Sequence, residues 1–364
     1  MKKTEFHFSS YKFDKEKAHY LRNPLFIGDF SLDSKRNFHA DKRNLKFIDL
    51  SYLTKKTRFD LNKNIDKSVK KNISETKTEK LDKLLQWILC NKEKFFTEES
   101  KETGFKSLST DFVCFRGLLT ELLCTPYEHR EGWIIYATRF AGTIYLVAVD
   151  TPEKEQQRLS ETGLNKAMSS WGYKFEQYMT NENTNEGVNE NEEYCCVMRS
   201  RLLNHSLVYG AEVDGADESL YHSPHSSLSA FIELKTCKEL VNQREINNFY
   251  RFRLRKWWAQ SYLVGIPRVI CGFRNLKGVV HSLKSFNVDE MPSMSKIHWD
   301  KDVMFNFLNE FLSWVKIVVE EDKPNLVYKF QRSPGEESIT CTPLQPESGE
   351  EFLPKFYIKE IFKT

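Results

Sequence analysis

Leu207-Val208-Tyr209-Gly210-Ala211-Glu212-Val213-Asp214 is an apolar run that closes on two carboxylates. Phe231-Ile232-Glu233-Leu234-Lys235 sets a carboxylate and an ammonium two residues apart inside another apolar run. Side chains alternate along a strand, so Glu212 and Asp214 point to one face while Ala211 and Val213 point to the other. Glu233 and Lys235 likewise share a face. If the two strands are neighbours, three carboxylates and one ammonium meet on one patch beside the core. An unpaired carboxylate in such a place costs many kcal/mol, up to roughly tens in the idealised dry limit. Lys235 can neutralise only one of the three.

A divalent cation would neutralise the rest. Carboxylate oxygens without His or Cys suit Mg²⁺ or Mn²⁺ rather than zinc. Asp214, then Glu233-x-Lys235 after 19 residues, matches the Asp…Glu-x-Lys pattern of metal-dependent nucleases. There the acids hold the metal, and the lysine orients or activates water and offsets charge on the phosphate. Short tracts of this kind are common, and the competing explanation is a surface-facing strand pair with a cross-strand salt bridge. Three further features favour a site. Glu176, within Gly172-Tyr173-Lys174-Phe175-Glu176-Gln177-Tyr178, sits beside the apolar face of a helix and is a candidate fourth carboxylate. Arg253, Lys256 and Gln260 fall at i, i+3 and i+7 and share one helical stripe, with Gln260 close to the Trp257-Trp258 pair. Arg116 directly follows an apolar strand, where loops commonly build sites, and Gly117 allows close backbone approach.

Outward from this centre, strands are expected at 112–115, 133–140, 143–149, 194–199, 229–236, 268–273 and 278–283, with Ala141-Gly142 turning a hairpin. Helical periodicity covers 81–88, 118–123, the Leu164, Met168, Trp171, Phe175 and Tyr178 face, a long helix over 245–264 ended by Gly265-Ile266-Pro267, and 303–319. Interleaved strands and helices predict a mixed α/β (α+β) domain spanning 1–364. The Lys/Asn-rich stretch at 55–80 reads as a polar excursion, 181–193 as a loop, and 333–351 as a polar tail before an aromatic segment.

Composition narrows the class without naming a function. The 364 residues are 40% hydrophobic and 29% charged, as in a soluble globular protein. No apolar run approaches the roughly 18 residues of a membrane span, and Met1 to Phe8 lacks a secretory apolar stretch. Eight cysteines are scattered without zinc-ligand spacing, which predicts reduced thiols inside a cell. Net charge is only +3, so an anionic substrate needs a local basic groove.

The chain resembles the DXO family of RNA decapping enzymes and 5′→3′ exoribonucleases. Short tracts between Val113 and Leu283 carry the likeness: Phe115-Arg116-Gly117, Thr125-Pro126-Tyr127-Glu128 leading to Gly132-Trp133, and Gly172 to Tyr178. Then follow Arg199-Ser200-Arg201-Leu202 with Asn204-His205, Ala211 to Asp214, Glu233-Leu234-Lys235-Thr236, Lys256 to Ser261, Gly265-Ile266-Pro267 and Gly272-Phe273-Arg274-Asn275. The resemblance implies two packed, twisted mixed sheets flanked by helices. It implies that Glu176, Asp214, Glu233 and the Leu234 carbonyl hold one Mg²⁺ or Mn²⁺, with Glu212 helping to hold a second. Lys235 and Gln260 would contact the scissile phosphate and the attacking water, and Arg116 would bind RNA phosphates. The loop at 181–193 would stay clear of the chemistry. Implied substrates are RNA 5′ ends carrying an unmethylated guanosine cap, an NAD cap, a triphosphate or a monophosphate. A monomer in the nucleus or cytoplasm is expected, and a 5′→3′ exonuclease is a conceivable partner. The competing readings are a DNA nuclease with the same metal chemistry and a non-catalytic RNA-binding or exonuclease-activating relative.

Overall fold

The computed structural model describes residues 4–8, 13, 19–71, 79–95, 107–160, 168–223, 228–346 and 348–361. Its strands, in chain order, are β1 (Thr4–His7), β2 (Leu25–Leu32), β3 (Phe38–His39), β4 (Phe59–Asp60), β5 (Phe112–Phe115), β6 (Trp133–Phe140), β7 (Thr143–Val149) and β8 (Glu193–Leu202). They continue with β9 (His205–Glu212), β10 (Gly215–Ala216), β11 (Phe231–Lys238), β12 (Arg268–Arg274), β13 (Val279–Asn287), β14 (Tyr328–Arg332) and β15 (Ser338–Pro343). A ten-stranded sheet runs β1-β15-β14-β6-β7-β5-β9-β8-β2-β3, and a five-stranded sheet runs β10-β11-β12-β13-β4. Both are mixed. β5 lies parallel to β7 and β9, and β11 lies parallel to β12, while the other pairs are antiparallel.

The helices that matter for the site are α1 (Asp82–Cys90), α2 (Arg116–Cys124), α3 (Trp171–Met179), α4 (Arg255–Tyr262), α5 (Lys301–Val318) and α6 (Lys355–Ile361). Strand alternation sorts the apolar residues into three layers. Leu207, Tyr209 and Ala211 of β9 join Phe231 and Cys237 of β11 and Val269 and Cys271 of β12 in one central core, completed by α2, α4 and α5. Val208, Val113 and Tyr145 face the other way, onto α1 and α6. Ile232, Leu234 and Ile270 form the outer face of the smaller sheet, covered by Trp171, Phe175 and Met179 of α3. At Gly272 an added Cβ would lie 2.7 Å from the Phe175 ring, so glycine lets α3 settle directly on β12. No helix among the described residues is long and apolar enough to cross a membrane. All eight cysteines are free thiols, and seven are buried.

Several expectations need correction. The strands bearing Glu212 and Glu233 are not neighbours: β9 pairs with β5 and β8, and β11 pairs with β10 and β12. β9 ends at Glu212, and the chain then crosses between sheets through Asp214 into β10. Gly215 permits the crossing, since a Cβ there would stand 2.9 Å from Ile48. The helix expected over 245–264 is interrupted by a π-helical turn at Phe249–Leu254. Within the supposed polar tail, Ile339 and Cys341 are buried in alternation, which makes 338–343 the inner strand β15. The lysine-rich excursion is partly tied down: Phe59–Asp60 pairs with β13, and Val69 bridges to Asn189. Residues 72–78 and Leu164 lie outside the described residues.

Candidate metal centre

Each acidic side chain reaches the centre from a different element. Glu212 is the last residue of β9, Asp214 stands in the crossing between the sheets, Glu233 is on the inner face of β11, and Glu176 is on α3. Glu233 is fully buried, whereas Glu176, Glu212 and Asp214 are half-buried and open to water at one side. Arg116 opens α2 and is itself buried. Its guanidinium donates to Glu233 Oε2 at 3.2 Å, and the Lys235 ammonium donates to the other oxygen. Asp214 Oδ2 accepts the Leu234 N–H at 2.6 Å, which ties the crossing to β11.

This arrangement sets the charge states apart. Burial pushes Glu233 up, but Lys235 and Arg116 outweigh it and hold the carboxyl below its ordinary range. Burial would strip the proton from Lys235, but Glu233 and Asp214 keep it an ammonium. The other three acids go the opposite way. Burial and then Glu233 raise Asp214 to about 6. Burial and then Glu193 raise Glu212 to about 8. Burial, Asp214 and Glu212 raise Glu176 well above the carboxylate range. Among the described residues none of these three has a cationic side chain within ion-pair distance, so four carboxylates face two contacting cations. The deficit of two charges is what one divalent ion carries.

The residues therefore fit a hard divalent cation in charge and ligand type, although the convergence is incomplete. Among the described residues, no three His, Cys, Asp or Glu side chains close on one point. The physical reason is visible in the contacts: Glu233 is turned onto Arg116 and Lys235, and Asp214 onto the Leu234 amide. Carboxylates without an intervening ion repel one another and take such partners.

Three cavities surround the centre. One of about 600 Å³ holds Arg116, Arg253, Lys256 and Gln260, which brings the basic stripe read from sequence to the same place as Arg116. A second, about 260 Å³, opens onto Glu212 beneath Arg36, Lys71, Glu79 and Glu193. A third, about 520 Å³, joins Glu176 and Tyr173 to Glu182, Asn183, Glu186 and Glu192. The loop at 181–193 therefore lines the site instead of standing clear of it. Lys174 explains why: its buried ammonium donates to Gln177 and to the carbonyls of Thr184 and Glu186, folding the loop against α3.

Sequence reasoning missed Arg36, Lys71 and Glu193. Arg36 binds Glu79 and Glu193, and Lys71 binds Glu193 as well. Glu193 lies two residues before Cys195, the cross-strand partner of Glu212, and so shares its face. That parity was readable once β8 and β9 were paired. Arg36 carried no local signal, because its partners lie 43 and 157 residues away.

The sequence matches the RAI1 like PD-(D/E)XK nuclease family over residues 22–358. It is 37% identical over 352 residues to the decapping and exoribonuclease protein of Bos taurus, covering 94% of this chain and 86% of that protein. To the Homo sapiens protein of the same name it is 36% identical over 356 residues, with the same coverage of both. Among solved structures, Candida albicans Rai1 in complex with pU5-Mn²⁺ superposes with a TM-score of 0.82 at 20% identity, covering 99% of this chain and 100% of that one. Scheffersomyces stipitis Rai1 in complex with (3′-NADP)⁺ and calcium ion gives 0.81 at 21% identity, over 98% of this chain and 99% of that one. The crossing that carries Asp214 from one sheet to Glu233-x-Lys235 on the other is thus set in a known frame, and the chain belongs to the RAI1-like PD-(D/E)XK nuclease family.

Proposed function

We propose that this chain is a divalent-metal-dependent hydrolase of RNA 5′ ends. In this reading it removes unmethylated guanosine caps and NAD caps, hydrolyses 5′ triphosphates, and degrades 5′-monophosphate RNA in the 5′→3′ direction. The relatives named decapping and exoribonuclease protein support the substrate class. The observation that carries the chemistry is the two-charge deficit at Glu176, Glu212, Asp214 and Glu233. These four side chains, with the Leu234 carbonyl, would hold Mg²⁺ or Mn²⁺: the deficit matches one ion, and the charge of a second would be balanced by the phosphates of the bound substrate. Bound there, the ions supply a more acidic water and positive charge on the phosphate oxygens.

The chain's own residues supply the rest. Lys235, kept protonated by Glu233 and Asp214, acts as a fixed positive charge beside the scissile phosphate, where negative charge grows in the transition state. Gln260, on the wall shared with Arg116, has an amide that can donate to the phosphate or accept from the attacking water. Arg116 spends one N–H on Glu233 and retains further donors for phosphate, since a guanidinium carries five. The buried Arg116–Glu233–Lys235 triad holds the cations before substrate arrives, so little reorganisation remains for the reaction itself.

The direct test is incubation with 5′-triphosphate, unmethylated-cap, NAD-capped and 5′-monophosphate RNAs, with and without Mn²⁺, identifying the released group. Metal-dependent release of an intact cap nucleotide or NAD is expected. No release from any of the four would end this reading. Release from RNA but not from the corresponding 5′-phosphorylated single-stranded DNA separates it from a DNA nuclease. We propose the nucleus as its compartment, with the cytoplasm as the alternative; imaging of a tagged copy would distinguish them.

A further inference from the structure

We propose that the π-helical turn and the start of α4 form the track for the RNA chain on the 3′ side of the scissile phosphate, with Arg253 and Lys256 taking successive phosphates and Phe252 closing its outer end. The inference rests on the RNA 5′-end reading above and assigns a direction to the substrate within it. Hydrolysis at a 5′ end divides the substrate into a small leaving piece and a long chain, so the centre needs two unlike spaces.

The 260 Å³ cavity over Glu212 is small; in it Arg36 and Lys71 are paired with Glu79 and Glu193, and Lys80 and Lys83 also line it. Fixed donors and acceptors in a small volume suit a single nucleotide unit. The 600 Å³ cavity is more than twice as large. It leads from Arg116 and Gln260 outward past Lys256 and Arg253 to Phe252. Arg253 and Lys256 are exposed, and neither makes an ion pair or hydrogen bond to a described residue. Two acids on the opposite wall are taken: Glu121 pairs with Lys154 and Glu128 with Arg255, leaving Glu131. Two unpaired cations in a row beside the metal centre suit a polyanion that runs past them.

The outer end suits bases. The Arg130 and Arg251 guanidinium carbons stand 4.6 and 5.2 Å from the Phe252 ring centroid. Unpaired bases stack on aromatic rings and on guanidinium planes. Phe252 and Arg253 also line a neighbouring hollow of about 220 Å³ beside Arg130 and Lys238, so the Phe252 ring stands at the boundary between the two. The π turn sets this geometry. By widening one turn of the helix it changes the phase of residues 249–254 relative to α4.

The test compares the wild type with the double variant Arg253→Gln/Lys256→Gln on 5′-monophosphorylated RNAs of two and ten nucleotides. In Mn²⁺, the wild type should show a KM for the decanucleotide about tenfold or more below that for the dinucleotide, and in the variant the ratio should fall toward one. In EDTA, anisotropy of the labelled decanucleotide against salt should give a log–log slope shallower by about 1.4 in the variant, at about 0.7 per single-strand phosphate contact. An unchanged ratio and slope would overturn the proposal. So would an equal rise in KM for both lengths, which would place these cations at the scissile phosphate. A wild type that turns over neither RNA refutes the 5′-end reading instead, so the two failures are distinct.

Discussion

Replacing Asp214 by Asn removes charge without removing bulk, and its consequence can be worked from the site. Burial and the neighbouring Glu233 lift the Asp214 carboxyl from its ordinary 3.8 to about 6. At about 1.4 kcal/mol per pKa unit, an ionised Asp214 costs the metal-free fold up to about 3 kcal/mol. The unfolded chain loses this proton near pH 4 and the folded chain near pH 6. The cost is therefore absent below about pH 4, grows between pH 4 and 6, and is constant above. Asn still offers an oxygen to the Leu234 N–H, so that hydrogen bond survives. With an unfolding entropy of about 2.1 cal/mol/K per residue, the 364 residues convert the gain into a rise in Tm of about 2–4 °C. In EDTA, Asp214→Asn should match the wild type at pH 4 and melt higher by this amount at pH 7.5. In Mn²⁺ it should lose both the metal-induced rise in Tm and RNA cleavage. A variant that melts lower than wild type in EDTA at pH 7.5, or that keeps wild-type cleavage at saturating Mn²⁺, would refute the account of the acidic centre.

Glu212→Gln should flatten the fall in metal-free stability between about pH 4.5 and 8, the window in which this carboxyl is ionised in the unfolded chain but still protonated in the folded one; thermal melts in EDTA across that range read it. Lys235→Ala should lower kcat by about 10² or more with a smaller change in KM, measured on 5′-monophosphate RNA, because its charge acts chiefly in the transition state. Arg116→Ala leaves the fully buried Glu233 with one cation instead of two, and denaturant titration should show a loss of about 3 kcal/mol. Gly272→Ala drives a methyl into the ring of Phe175, the residue that precedes Glu176. It should cost about 1–3 kcal/mol and weaken Mn²⁺ binding measured calorimetrically.

Local pattern was enough to single out the candidate site residues and most elements near them. The period of two along 207–214 and 231–235 placed Glu212 with Asp214 and Glu233 with Lys235, and helical spacing put Glu176, Arg253, Lys256 and Gln260 on helices. It also identified the β6–β7 hairpin, whose Ala141-Gly142 turn takes left-handed φ at both residues. These features depend on neighbours a few residues apart, which a sequence displays directly.

What the tertiary structure alone decided is which elements meet. Strand parity says which way Glu212 and Glu233 point, but not that their strands belong to different sheets, because sheet membership rests on pairings between residues tens to hundreds of positions apart. The same holds for Arg116, whose ion pair with Glu233 spans 117 residues and makes the expected phosphate ligand also one member of a buried triad. It holds again for the loop at 181–193, drawn into the site by the buried ammonium of Lys174. The acidic residues themselves were legible because the chain must bury them beside apolar strands. How the protein neutralises them depends on three-dimensional distance, and that only the folded chain supplies.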